Sequence, residues 1–316
     1  MSLLPVEIAH RLADRPDERQ WLVEELWADE AVGIVGGEPK CCQSFLALDL
    51  AVAVASGTPC LRQYPVTRPG RVLLYAAEDA LHLVRRRLEG ICQAAGVDLA
   101  TLDVHVITAP TLRLDSTGDR DRLAATVAAI RPRLLVLDPF VRLHRVDENV
   151  SGEVAPLLAY LRELQRREQV SIVVVHHARK GAARARAGQA LRGSSEFHAW
   201  GDSNLYLRRA GDQLTLTVEH RAAASIADVT LALEGNGDGL ALRVTERRTD
   251  SDAPSPLPSA TDRVTRALAE ATTPLTVVEL RRACRIRTST LCAILTDLVT
   301  DGRVCRTAAG YLPAGR

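Results

Sequence analysis

Four apolar residues followed by a carboxylate, Leu134-Leu135-Val136-Leu137-Asp138, decide the fold class of this chain. A run that is apolar at every position is typical of a strand buried on both faces, as in a parallel sheet covered by helices. Residues 72–75 and 172–175 form two more such runs. Helical patterns alternate with these runs at 45–56, 80–95, 119–130 and 152–168. The alternation predicts an α/β fold, with a doubly wound, mostly parallel sheet.

The pattern changes after residue 200, and three regions follow from it. Shorter segments separated by turns predict antiparallel strands that extend the sheet at 203–208, 213–219, 229–233 and 240–246. A polar, proline-rich stretch at 249–258 predicts a linker, so the large domain covers 1–248. Residues 259–316 show three short helical patterns and a small β-ribbon, which resemble a winged helix-turn-helix domain.

Composition and charge exclude several classes of protein. Of the 316 residues, 47 % are apolar and 25 % are charged, which excludes a largely disordered chain. The net charge is only +1, although residues 259–316 hold nine arginines against five acidic residues. The cysteines show no C-x-x-C spacing, and the apolar stretches are too short to span a bilayer. We therefore expect a cytoplasmic protein without a membrane partner.

A candidate phosphate-binding loop reads Gly37-Glu38-Pro39-Lys40-Cys41-Cys42-Gln43-Ser44, with Phe45 next. It follows an apolar strand and opens a helix, which is the context such loops need. In the pattern G-x-x-x-x-G-K-[ST], Gly37 and Ser44 fit, whereas Cys42 replaces the second glycine and Gln43 the lysine. A neutral amide cannot replace the lysine's charge on the β- and γ-phosphates, although Lys40 lies in the same loop. Taken alone, an ordinary strand-to-helix turn explains this segment equally well.

Two carboxylates lie where predicted buried strands end. Asp138 is placed to hold Mg²⁺ through water, while Ser44 contributes its hydroxyl. Glu78 is our candidate for orienting an attacking water, and Asp79 is the alternative. For Asp138 the alternative is a strand that ends in a cap residue, and it loses weight because the candidate phosphate loop lies upstream. For Glu78 and Asp79 the alternative is a cap for the helix that follows, and for Asp79 it is the better explanation.

The segment after the third buried run carries two histidines and a basic stretch. His176 and His177 are adjacent on a strand, so they point to opposite faces and make a poor metal pair. Either one suits a hydrogen bond to a phosphate at the strand end. The cations that follow, without any acid between them, are Arg179, Lys180, Arg184, Arg186 and Arg192. They predict DNA contact, with a solvated basic loop as the alternative.

Taken together, these motifs resemble the RecA-like ATPases of the plasmid RepA helicase type, relatives of DnaB and RecA, over about residues 20–246. The resemblance implies ATP and Mg²⁺ bound at subunit interfaces, and a hexameric ring or a filament. It implies that Glu78 is the catalytic glutamate, Asp138 the Walker B acid, and His176 or His177 the γ-phosphate sensor. Residues 139–149 and 178–193 correspond to the two DNA-facing loops.

Such enzymes complete each site with a basic finger from the neighbouring subunit, usually Lys-x-Arg on a late strand. Here the corresponding stretch is Glu219-His220-Arg221, so Arg221 is kept and the lysine is Glu219. A surface arginine at a strand end is the simpler explanation. The two departures, at Gln43 and Glu219, both remove a catalytic cation.

The sequence predicts a self-assembling, DNA-associated ATPase of the helicase or motor type, acting in replication or mobile-element maintenance. Single-stranded DNA is expected at the large domain and duplex DNA at the winged helix. Gln43 leaves open whether hydrolysis is impaired. One alternative is a nucleotide-dependent DNA scaffold or regulator that does not hydrolyse ATP. The other is a signalling or phosphotransfer protein that does not bind DNA.

Overall fold

A computed structural model describes residues 6–11, 21–177, 196–211, 213–236, 239–247, 260–271, 273–284, 288–307 and 309–314. It separates into two compact units, Met1–Arg248 and Thr249–Arg316. The predicted linker and the five predicted DNA-binding cations, Arg179, Lys180, Arg184, Arg186 and Arg192, lie outside the described residues.

The first unit is built on one large sheet. Its strands are β1 (Trp21–Val23), β2 (Trp27–Ala28), β3 (Val32–Gly37), β4 (Val72–Ala76), β5 (Val104–Val106), β6 (Leu134–Asp138), β7 (Ser171–His177), β8 (Ser203–Ala210), β9 (Gln213–His220), β10 (Val229–Asn236) and β11 (Gly239–Arg247). Strands β1 and β2 form a separate hairpin. The large sheet has the order β11-β10-β9-β8-β3-β7-β6-β4-β5, with parallel pairing from β8 to β5 and antiparallel pairing from β8 to β11.

Helices cover both faces of this sheet. They are α1 (Gln43–Ser56), α2 (Leu81–Ala95), α3 (Thr117–Ile130), α4 (Ser151–Glu168) and α5 (Glu196–Trp200). Side chains of α1 and α2 share one buried core with Leu74, Val136 and Val175, while α3 and α4 share another with Leu73 and Leu135. Neighbouring residues of each buried strand therefore belong to opposite cores, which explains why these strands are apolar at every position.

The predicted fold class is confirmed, including the parallel strands, the covering helices and the antiparallel extension. Strand β5 was not predicted, because Val104-His105-Val106 is short and only half-buried and so gives no continuous apolar signal. Strand β8 runs to Ala210 and not to 208, which brings Arg209 into the sheet. This extension matters for the site described below.

The second unit contains α6 (Ala260–Glu270), α7 (Val277–Cys284) and α8 (Thr288–Thr300), followed by a ribbon of β12 (Val304–Thr307) and β13 (Gly310–Pro313). Its small core includes Val264, Leu268, Leu280, Leu291 and Leu295. A reciprocal cap starts α7. The Glu279 N–H donates to the Thr276 hydroxyl at 3.3 Å, and the Thr276 N–H donates to the Glu279 carboxylate at 2.8 Å.

Candidate functional site

The candidate site residues meet at the edge where the parallel strands end, here called the carboxyl edge. Asp138 ends β6 and lies opposite Ala76 of β4, two residues before Glu78. His177 ends β7 and lies opposite Gly37 of β3, where the phosphate loop (residues 37–44) begins. Open α/β sheets bind ligands at this edge. The topology thus assembles residues that are far apart in the sequence.

The phosphate loop folds back on itself through Gln43. The Gln43 side-chain amide donates to the Glu38 carbonyl at 2.7 Å, and the Cys41 N–H donates to the same carbonyl at 3.2 Å. Gln43 is buried, so its amide faces the loop interior and not solvent. A Cβ on Gly37 would lie 2.5 Å from the Leu207 carbonyl, so only glycine fits between β3 and β8. The loop is therefore closed by a side-chain hydrogen bond from its seventh position, which holds glutamine where the pattern has lysine.

Two residues of the phosphate loop adopt left-handed backbone conformations. Lys40 has a φ of 69° and Cys42 a φ of 65°. Cys42 stands where the loop pattern has glycine, the residue for which this conformation carries no steric cost. The backbone at Cys42 therefore has the left-handed conformation that suits the glycine of the pattern, although the residue itself is a cysteine.

The phosphate loop and the Walker B candidate come close together at the carboxyl edge. The Ser44 side chain lies within reach of the Asp138 carboxylate, which is buried with only 8 % of its surface exposed. Burial, more than any neighbour, raises the pKa of Asp138 to about 6. Asp79 and Glu78 also raise this pKa, whereas the Ser44 hydrogen bond and Arg87 lower it. The ionised carboxylate is thus held where a cation would stabilise it.

Glu78 and Asp79 are each paired with an arginine. Arg142 donates through Nε to Glu78 Oε1 at 2.7 Å, and both side chains are exposed. Arg87 of α2 is paired with Asp79 and also lies over the Phe45 ring, with its Cζ 5.3 Å from the ring centroid. The carboxylate predicted to orient water is therefore held by a residue of segment 139–149, which the resemblance assigns to DNA.

His176 and His177 lie in different surroundings, because successive residues of a strand point to opposite faces of the sheet. His176 is buried and stacks on Phe197, with ring centroids 4.2 Å apart, and its Nδ1 lies 4.0 Å from Glu148. It belongs to the face of α4 and α5. His177 is half-buried and lies on the opposite face, that of α1 and the phosphate loop. The geometry favours His177 for contact with a ligand at the loop.

Sequence reasoning missed one cation beside the phosphate loop, Arg209 of β8. Its Nη2 lies 3.4 Å from the Cys42 sulfur, and its backbone N–H contacts the Cys41 thiol. The predicted strand stopped at 208, so Arg209 was not placed in the sheet. Only the register of β8 against β3, with Leu207 opposite Gly37, reveals this contact.

Arg221 and Glu219 lie away from the carboxyl edge. Because β9 is antiparallel to β8, its last residue, His220, pairs with Ser203 at the opposite edge, here called the amino edge. There Arg221 is half exposed and donates to the Trp200 carbonyl at 3.4 Å, with Asp202 3.3 Å away. Glu219 lies 3.4 Å from His198. Neither side chain reaches the phosphate loop of its own subunit.

A cleft opens beside the start of α1. It has a volume of about 380 Å³ and is lined by Phe45, Leu83, Arg86, Arg87, Gly239 and Leu240. Leu83 and Leu240 are exposed although apolar. Apolar walls with a few charged groups are typical of small-molecule sites of this size.

In the part of the chain that the structure describes, no group of three or more His, Cys, Asp or Glu side chains is arranged to hold a metal ion. A magnesium ion at Ser44 and Asp138 would therefore take its other ligands from phosphate and water, which are the hard oxygen donors it prefers. Within the same residues, no helix has the length and apolarity needed to cross a membrane.

Comparisons with known proteins agree with this architecture. A family model described as an AAA domain matches residues 2–183. A DnaB-like replicative helicase, solved in a study of its interactions with primase, superimposes with a TM-score of 0.50 at 11 % identity, covering 67 % of this chain and 59 % of its own. The crystal structure of the RadB recombinase gives a TM-score of 0.49 at 14 % identity, covering 69 % of this chain and 92 % of its own. At 11 % identity, the likeness to the helicase shows the fold alone, which is RecA-like.

Proposed function

The chain belongs to the AAA domain family, and from this premise we propose that it is a self-assembling, DNA-associated ATPase of the helicase or motor type. The observation that carries the proposal is that the phosphate loop with Ser44 and the buried Asp138 carboxylate come together at the carboxyl edge. This arrangement brings a strand-to-helix loop after β3 close to the acid that ends β6, two strands away in the sheet, as nucleoside triphosphate hydrolysis requires. Within the family, the motifs favour the RepA helicase type.

ATP and Mg²⁺ are the proposed ligands of the carboxyl edge. The N-terminus of α1 and the backbone of residues 37–44 would bind the phosphates. Ser44 and Asp138 would hold magnesium, which neutralises charge on the phosphates when it is bound. The cleft beside Phe45 would take the base, because an aromatic ring and apolar walls suit a flat heterocycle.

Glu78 is the proposed water-orienting residue, and its pairing with Arg142 supports a role for DNA. Both partners are exposed, and exposed ion pairs contribute little stability. A DNA phosphate that binds Arg142 would therefore release Glu78 at small cost. His177, on the face of the phosphate loop, is the proposed phosphate sensor.

Arg221 is proposed to act on the site of a neighbouring subunit. Its place at the amino edge prevents it from serving its own phosphate loop, so a role in catalysis requires assembly into a ring or filament. The DNA partner would be single-stranded at the first unit. The second unit, which we propose to be a winged helix, would bind duplex DNA in replication or mobile-element maintenance.

The test is ATP turnover with and without single-stranded DNA, measured at two protein concentrations. We expect the rate of ATP turnover to rise when DNA is added. We also expect the rate per subunit to rise with protein concentration. Arg142→Ala should raise the basal rate and reduce the stimulation. Arg122→Ala, which removes an exposed arginine paired with Asp119 outside the DNA-facing segments, serves as the matched control. DNA binding without turnover would favour the scaffold, and turnover indifferent to DNA would favour the signalling protein.

The role of Arg221 is tested by mixing subunits. Arg221→Ala protein added to wild-type protein should lower activity more than in proportion, because each variant subunit impairs its neighbour. A strictly proportional loss would show that the sites are independent. Arg243→Ala, an exposed arginine of β11, provides a control for changes in surface charge.

A further inference from the structure

Cys41 and Cys42, the adjacent cysteines of the phosphate loop, both contact Arg209 of β8. The Cys41 thiol accepts the backbone N–H of Arg209, and the Cys42 sulfur lies 3.4 Å from Nη2 of the same residue. Cys41 is buried and Cys42 half-buried, so both sulfurs are fixed by the loop. Arg209 is therefore held at its backbone and at its side chain by two consecutive loop residues.

The strand period places the Arg209 side chain on the face of the phosphate loop. Leu205 and Leu207 of β8 pack in the core beneath α1, and Arg209 continues that row at the carboxyl edge. Arg208 lies on the opposite face, in the row of Tyr206, which belongs to the core beneath α4. Two adjacent, exposed arginines thus lie on opposite faces of the sheet.

Another arginine near the loop is already engaged. Arg87 is paired with Asp79 and lies over the Phe45 ring, so its charge is balanced by a carboxylate. Lys40 lies in the exposed part of the loop, three residues before Gln43. The Arg209 guanidinium contacts the loop through the Cys42 sulfur, so no carboxylate takes part in that contact.

We propose that Arg209 supplies, from strand β8, the positive charge for the terminal phosphates of ATP that the loop lysine supplies in the usual pattern. Cys41 and Cys42 position it, and Gln43 closes the cradle in place of the lysine. Arg209 is thus a phosphate-binding residue of the site. This inference rests on the proposed function.

The test is equilibrium binding of a fluorescent ATP analogue and of the matching ADP analogue, with magnesium, to the full chain. Arg209→Ala should weaken ATP binding by about tenfold to a hundredfold, as expected for a lost hydrogen bond to a charged group. ADP binding should fall less, because the effect centres on the terminal phosphate. Arg208→Ala should stay within about twofold of wild type, and Arg209→Lys should recover part of the loss. Thermal unfolding of each variant verifies that it is folded.

A second background separates a charge effect from a structural one. In Gln43→Lys protein the loop carries its own cation, so Arg209→Ala should there cost no more than about threefold. An equal loss in both backgrounds, or a loss that Lys40→Ala reproduces and Arg209→Ala does not, would overturn the inference.

Failure of the proposed function would look different. If neither wild-type nor Gln43→Lys protein binds the ATP analogue, the nucleotide site itself is wrong. If wild-type protein binds it and Arg209→Ala binds it equally well, the site stands and only the inference about Arg209 is lost.

Discussion

The two halves of the carboxyl edge differ in how closely they follow the expected pattern. On the acidic half, Ser44, Asp138 and Glu78 have the residue types of the expected pattern and lie at or near the strand ends where it places them. On the loop half, Cys42 and Gln43 depart from the pattern, yet the backbone keeps the left-handed turn and the closed cradle. The difference teaches that backbone shape and charge are separate requirements. Shape can persist when the charge is missing or comes from elsewhere in the fold.

The largest effects are expected on the acidic half. Asp138→Asn should lower ATP turnover by about 10³ or more, because it removes the charge that holds magnesium. The same change should stabilise the protein without ligands at pH 7.5, by up to about 3 kcal/mol, because the ionised carboxylate is buried and has a pKa of about 6. Turnover and urea unfolding would measure the two effects.

The stabilisation has a defined dependence on pH. A raised pKa means that the folded protein disfavours ionisation of Asp138. The ionised carboxylate therefore does not destabilise the fold below about pH 4. Its destabilising effect grows as the pH rises to about 6 and reaches its maximum above that pH. The gain from Asp138→Asn should follow that course. A gain that is equal at pH 3.5 and pH 7.5 would show that the carboxylate is not the cause.

Glu78→Gln sharpens the assignment within the acidic half. It should lower turnover by about 10²–10⁴ while ATP binding stays within about twofold, because a water-orienting group acts on the reaction and not on the bound nucleotide. Single-turnover hydrolysis and equilibrium binding measure these effects. Asp79→Asn is the neighbouring control, and a larger rate loss for it would exchange the roles of the two acids.

On the loop half, Gln43→Lys should raise turnover by about tenfold. Loss of one such contact typically costs 10²–10³ in rate, and we expect less here because Arg209 already supplies part of the charge. Gln43→Met, similar in size and uncharged, should give no increase. If Gln43→Lys protein binds ATP but remains inert, the block lies elsewhere, and Glu219 at the finger position is the first candidate.

The smallest effect concerns the shape of the loop. Cys42→Gly should raise the unfolding free energy by up to about 1 kcal/mol, because glycine adopts a φ of 65° without steric cost. It should also weaken ATP binding severalfold, since Arg209 loses one of its two anchors. Cys42→Ala keeps the steric cost and loses the same contact, so it should weaken binding without the gain in stability.

Patterns within single segments were sufficient for most of the fold. The apolar runs of β4, β6 and β7 predicted a buried parallel sheet, and the carboxylate that ends β6 could be placed at the edge where ligands bind. Each of these signals depends on neighbours along the chain, which is why the sequence alone revealed them.

Contacts between distant segments could not be predicted in the same way. The pairing of Glu78 with Arg142 depends on where the segment after β6 folds back, and the approach of Arg209 to Cys42 depends on the register of β8 against β3. The choice between His176 and His177 required knowing which face of β7 carries α1. Each of these features depends on how strands and helices pack together, which the sequence of a single segment does not reveal.

If Arg221 serves the site of a neighbouring subunit, its separation from the phosphate loop determines how many complete sites an assembly contains. If each subunit gives its finger to the next, an open row always ends in one subunit whose site receives none, so a dimer completes one site of two. A closed ring has no such end and completes every site. Closing the ring would then complete one more site without adding a subunit. As a fraction of all sites, this increase would be largest for the smallest rings.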